Sequence, residues 1–249
     1  MQFNSTWSVN GFVVTGDSFG SSHNTIDDGK ADDVYLRRVY LRHEGDYGKT
    51  EIGVIPTYKG RVSSSGLSKD GWIKGARHVR SLGNDKLEIV VGQLSSLDPA
   101  NALHSPEKLD YLEIEYSANI NESWSYEISG ERMTKANFVR TELRYAMFDK
   151  SAVFAELVAR VDNSKVKTVI GLDGEFALQD YPIEYFAHYS YVSSNFGLRA
   201  ELTEDFLGTG HGFSAELSGD IRDSKFAWFV RYDTVNSKNR ILTGISWSL

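Results

Sequence analysis

Few residues in this 249-residue chain are spaced for bond-breaking chemistry. His188 and Ser190 stand two apart in IEYFAHYSYV, where a strand would hold both on one face. A serine nucleophile with a histidine base is the chemistry of ester hydrolysis, but it needs hydrogen-bond reach and a third group to orient the base. Residues two apart on one strand face lie about 7 Å from each other, too far for a direct bond. Ser18, His23 and Asp27 share a polar stretch that fixes no geometry. Glu113 and Glu115 are carboxylates of the type glycosidases pair, and on a wetted wall they read as plain lining. The six histidines show no HExxH spacing, and GxSxG, P-loop and GxGxxG units are absent. With no cysteine, thiolate metal sites and disulfides are excluded. The expectation is no enzyme, no cofactor and no metal.

What the chain has in abundance is charge at alternating positions. In LDYLEIEYSANI, Leu112, Ile114, Tyr116, Ala118 and Ile120 share one parity, and Tyr111, Glu113, Glu115 and Ser117 the other. WSYEISGER sets Trp124, Tyr126 and Ile128 against Glu127 and Glu131. FVRTELRYAMF sets Val139, Leu143 and Tyr145 against Arg140, Glu142 and Arg144, and VFAELVARV sets Val153, Ala155 and Leu157 against Glu156 and Arg160. Side chains alternate faces along a strand, so each run is a two-faced β-strand.

These runs are about nine to twelve residues long, the length at which a tilted strand crosses a bilayer. One apolar and one charged face at that length, repeated with short turns, is the signature of a transmembrane barrel. Lipid touches the apolar face and the charged face lines the interior. Mean hydropathy is -0.36, because alternation averages out, and no run approaches the ~18 apolar residues of a membrane helix. The net charge of -7 argues against a nucleic-acid partner. Met1 is not followed by a basic segment and an apolar stretch, so an exported chain is expected to be a mature form carrying a start methionine.

Further alternating runs precede and follow these four. The first, third and fifth connections are long (Asp17 to Asp33, about Lys59 to Asp70, and Ser95 to Lys108). The second, fourth and sixth are tight turns at Gly45–Gly48, Gly83–Asp85 and Asn121–Glu122. Outer-membrane barrels sort their loops this way, long at one rim and short at the other. About fifteen strand candidates can be counted, the weakest being FGLRAEL. A single-chain bacterial barrel needs an even number, which predicts fourteen, with twelve or sixteen as alternatives. Residues 1–249 read as one all-β domain, a single antiparallel up-and-down barrel.

The last strand alternates Ile241, Thr243, Ile245, Trp247 and Leu249. With the loop pattern, this resembles a Gram-negative outer-membrane β-barrel of the porin type, although such proteins usually end on an aromatic. LRRVYLRHEG (Leu36 to Gly45) with the following EIGVI is similar to an early hairpin of phosphate-selective porins, and no anion-binding residue is carried over from it. The resemblance implies an outer-membrane location and passive diffusion of ions and small polar solutes, oligosaccharides among them. The alternatives are an outer-membrane lipase or deacylase, a closed structural barrel, and a soluble all-β carbohydrate-binding protein. Monomer and trimer both stay open.

The expected pore lining is Arg37, Arg38, Arg42, Glu113, Glu115, Glu127, Glu131, Arg140, Glu142, Arg144, Glu156, Arg160, Arg199, Glu201 and Arg231, joined on the same parity by Glu184, Glu216, Asp220 and Asp233. Arg144 and Glu156 face each other if their hairpin is centred on Lys150. Strand count favours a water-filled lumen over an interior cross-linked by ion pairs, since fourteen strands enclose more than side chains fill. Arg37, Arg38, Arg42, Arg61, Lys74, Arg77 and Arg80 crowd the early strands, and Glu113, Glu115, Glu127 and Glu131 sit on adjacent later ones, a basic wall beside an acidic wall that would set a transverse field across the pore. Trp7, Trp72, Trp124, Tyr145, Tyr185, Tyr189, Trp228, Tyr232 and Trp247 are expected in interfacial girdles. The loop Asp17 to Asp33 is the expected plug.

Overall fold

A computed structural model describes residues 6–15, 34–56, 72–95, 105–148, 150–179, 181–197, 209–221 and 224–247, and among them fourteen strands and no helix. The first half comprises β1 (Trp7–Thr15), β2 (Val34–Gly45), β3 (Gly48–Pro56), β4 (Trp72–Leu82), β5 (Asp85–Ser95), β6 (Tyr111–Asn119) and β7 (Trp124–Met133). The second comprises β8 (Ala136–Phe148), β9 (Ser151–Arg160), β10 (Lys165–Leu178), β11 (Tyr181–Val192), β12 (Gly210–Asp220), β13 (Phe226–Val235) and β14 (Lys238–Trp247). They form one sheet in sequence order, each strand antiparallel to the next. Among the described residues the ladder runs from β1 to β14 without linking β14 back to β1.

The expected count of fourteen is met without FGLRAEL, most of which, with Arg199 and Glu201, lies outside the described residues. The expected plug, Asp17 to Asp33, lies outside them as well.

Burial inverts the order of a soluble sheet. Along β6, Tyr111, Glu113 and Glu115 are buried, while Leu112 and Ile114 are 44% and 50% exposed. The same alternation runs through β7 and β9. Exposing a large aliphatic side chain to water forgoes about 1.5–3 kcal/mol, so an outer face of Ile128, Leu143, Leu157, Ile170, Leu217 and Ile245 belongs against lipid. Paired rings on this face stand near the short-turn rim: Trp7 with His43 at 4.5 Å, Trp124 with Tyr145 at 4.8 Å, and Phe176 with Tyr185 at 6.0 Å. Tyr189 and Tyr232 lie toward the other rim, and the Trp72 and Trp247 side chains fall outside the described residues.

Two hairpins repeat one local design. Asn163–Ser164–Lys165 turns β9 into β10, and Asn236–Ser237–Lys238 turns β13 into β14. Left-handed backbone at Ser164 (φ 55°), Asn236 (45°) and Ser237 (72°) gives the tight reversal. Eight residues after each asparagine comes a glycine, Gly171 or Gly244. A Cβ there would collide with the ring of Phe154 or Phe229 respectively, so each glycine lets a cross-strand aromatic lie flat on the inner wall.

Candidate functional site

The inner face is layered along the barrel axis. Nearest the long-loop rim is an apolar cluster that includes Ile55, Ile73, Val90, Tyr111, Met133, Phe138, Val158 and Val192. Phe196, in the connection after β11, is fully buried in this cluster with its ring 5.5 Å from Phe138 of β8. Arg160, at the end of β9, clasps the segment: its Nη1 donates to the carbonyl oxygens of Phe196 (3.0 Å) and Asn195 (3.5 Å). Its Nε and Nη2 donate to Asp162 at 3.0 and 2.8 Å. The Arg160 guanidinium holds the Asp162 carboxyl, in the turn after β9, below the usual carboxylate range, so the clasp stays charged well into acid. Nothing in the alternation marks Phe196, which lies outside any strand. It is the described residue that reaches into the mouth from a connection.

Below lies a charged layer organised by Arg140. Its guanidinium donates to Glu156 (3.0 Å), Glu115 (2.9 Å), Glu127 (2.7 Å) and Glu142 (3.1 Å), one carboxylate from each of β9, β6, β7 and β8. The register explains the convergence. Arg140 sits opposite Ser129 on one side and Val158 on the other, short or apolar neighbours that leave room for glutamates one step away. Arg144 instead binds Asp173 of β10 through both carboxylate oxygens and lies over the Phe154 ring at 5.4 Å. Tyr111 donates to Glu113 at 2.6 Å.

The expected Arg144–Glu156 pairing is corrected. The hairpin closes with Phe148 opposite Ser151, one step short of a turn centred on Lys150, and a bulge between Ala146 and Phe148 moves the register one step further, so Arg144 faces Phe154 and Glu156 faces Glu142.

On β2–β4 the polarity reverses, with a carboxylate at the centre. Glu51 accepts from Arg42 (2.8 Å), pairs with Arg77 (3.1 Å), and has Lys49 at 4.0 Å. Of the other early basic residues, Lys74 pairs with Val54 on the outer parity and Arg80 with Leu87 on the same parity, so neither faces the interior. The side chains of Arg37 and Arg38, and Arg61 altogether, lie outside the described residues. A third cluster centres on Asp233, which accepts from Ser214 (2.6 Å), Arg231 (2.8 Å) and Arg240 (2.6 Å).

Toward the short-turn rim the interior opens into a vestibule of about 380 Å³, lined by Asp173, Glu175, Glu184 and Glu216. Lys150 reaches Glu175 at 2.6 Å. Asp220, paired with Ala227 at the end of β12, is exposed at this rim.

Ladder parity thus puts Arg42, Glu113, Glu115, Glu127, Glu131, Arg140, Glu142, Arg144, Glu156, Arg160 and Arg231 on the inner face. It adds Glu51, Lys167, Asp173 and Arg240, which alternation alone did not single out. At the Arg140 level these side chains are not wetted, Arg140 and Glu142 being 1% exposed, and Asp233 at the centre of the third cluster is likewise buried. Here the interior is cross-linked by ion pairs, and open space lies in the vestibule.

The His188/Ser190 pair gains no catalytic geometry. His188 is buried, and neither ring nitrogen has a hydrogen-bond partner among the described residues. Ser214, opposite His188, donates to Asp233 instead, so no serine–histidine–carboxylate relay forms.

No protein-family model matches the chain, and no curated protein matches it in sequence. Its fold is similar to solved structures. A loop L8 deletion mutant of OmpT, an outer membrane protein of Vibrio cholerae, matches over 99% of this chain and 87% of its own, at 15% identity and TM-score 0.54. OmpT itself, from the same organism, folded in vitro and in its trimer form, matches over 94% and 77%, at 12% identity and TM-score 0.50. The shared fold, the apolar outer face and the charged inner face are those of an outer-membrane β-barrel, with lipid as the solvent of its outer wall.

Proposed function

We propose that the barrel is a channel of narrow bore for small cations and small polar solutes, and that it is not an enzyme. The observation that carries this reading is the acidic vestibule at the short-turn rim, where Asp173, Glu175, Glu184 and Glu216 line open space. Carboxylates that stay hydrated at a pore mouth favour entry of cations with their water. The basic groups around Glu51, on a different wall, set up a transverse field that orients dipolar solutes.

Single-channel recording in a planar lipid bilayer under a salt gradient tests this. Stable steps are expected, with a reversal potential of cation preference. The triple variant Glu175→Gln, Glu184→Gln, Glu216→Gln should lower that preference while keeping the steps. Phe196→Ala, which removes the ring from the mouth without touching the charged layer, should enlarge each step.

A second reading, a closed structural barrel, is favoured by the burial of Arg140 and Glu142 and by the seated Phe196. Insertion into the bilayer with no steps, in both wild type and Phe196→Ala, would establish it and overturn the channel.

A further inference from the structure

The outer wall of a barrel is convex, so lipid chains ordinarily lie against it without a seat. Across β7–β12 the wall dips instead into a groove of about 570 Å³. Small residues on neighbouring strands make its floor: Ala155 of β9, Gly171 of β10 and Ala187 of β11. Gly171 contributes no side chain, and the wall behind it is closed by Phe154 and His188, its partners on the inner face. At the short-turn end stand Trp124 and Tyr145, rings 4.8 Å apart; Tyr189 and Phe213 rise on the opposite side. Among the described residues no carboxylate, lysine or arginine lines the groove.

We propose that this groove is a binding site for one phospholipid acyl chain, entered from the leaflet at the short-turn rim. The occupant follows from where the groove lies. It is continuous with the lipid-facing belt, so an acyl chain is already its neighbour. Its short-turn end carries an aromatic pair, the side chains that settle at headgroup level. Inside a bilayer an apolar seat offers no hydrophobic gain over surrounding lipid. Retention comes instead from the additional dispersion contacts a concave wall makes with a chain. A second copy of this barrel would need polar groups to fix its orientation, and the floor of Ala155, Gly171 and Ala187 offers no polar side chain for that. The site is independent of whether the lumen conducts.

The protein refolded in nonionic detergent with added phosphatidylethanolamine, then examined by native mass spectrometry, provides the test. The wild type should retain one phospholipid per chain, and Ala155→Phe, which fills the floor, should retain none. Ala187→Leu, a smaller filling on the neighbouring strand, should lower the retained fraction. Val230→Phe, on the outer face of β13 away from the groove, should keep its lipid. Each variant's folding is read independently from its heat-dependent mobility on gels. Equal retention by folded wild type and folded Ala155→Phe overturns the site. A wild-type oligomer that Ala155→Phe converts to monomer also overturns it, by making a second copy the occupant.

Discussion

Arg140→Met is expected to cost about 3–5 kcal/mol of folding stability, the usual penalty for stripping one partner from a buried ion cluster. Methionine fills similar volume, so little of that loss is cavity. What remains is Glu115, Glu127, Glu142 and Glu156, drawn to one point with their shared cation gone. Native proteins hold only about 5–15 kcal/mol in total, so the shift in urea midpoint on refolding into lipid vesicles should be unmistakable. Adding Glu127→Gln and Glu142→Gln to the same chain should recover part of the loss by removing two of the stranded charges. Arg140→Lys should fall between, since an ammonium keeps the charge but lacks the planar fork that reaches four acceptors. The magnitude separates two pictures of the interior. If water wets this layer, the guanidinium–carboxylate contacts are worth about 0–1 kcal/mol each, and the methionine variant will refold almost as the wild type does.

The strands were legible because two solvents act on them. Lipid outside and charge inside force a period of two, and β6–β9 fall where the alternation puts them, with Glu113, Glu127, Arg140 and Glu156 all on the inner parity. Parity is a local property, however, and register is not. The bulge at Met147 needs no special residue, and together with a turn that sets Phe148 opposite Ser151 it places Arg144 across from Phe154, where it binds Asp173 rather than Glu156. Counting charges without faces misled in β4, where Lys74 and Arg77 are three apart and must point opposite ways; the inner one binds Glu51 and the outer one does not.

Depth in the barrel was illegible for a related reason. Alternation gives the face of a residue but not which residues from distant strands share its level. The apolar layer at the rim, the Arg140 layer and the vestibule therefore emerge only from the ladder. Strand count alone favoured a wetted lumen. The ion pairs that cross-link the Arg140 level instead reflect how long side chains from neighbouring strands converge on one guanidinium.

Two isoleucines on one strand face test the inside-out arrangement itself. Ile114 lies near the middle of β6, and Ile120 lies just past its short-turn end; both point outward, 50% and 59% exposed. Ile114→Arg should cost about 2–4 kcal/mol in lipid vesicles, because its charge would sit near the bilayer midplane. Ile120→Arg should cost about 0–1 kcal/mol, because there the guanidinium reaches headgroups and water. A water-facing sheet predicts something else: surface substitutions stay within about 0.5 kcal/mol and carry no dependence on position along the strand. The comparison uses one residue type, one strand and one face, so strand propensity cancels and only depth remains. Equal, negligible costs at both positions, measured as urea midpoints in the same vesicles, would mean that the apolar face of β6 does not meet lipid. The inner glutamates, paired around Arg140, would then belong to a sheet whose apolar face meets water, at about 1.5–3 kcal/mol forgone for each exposed aliphatic side chain.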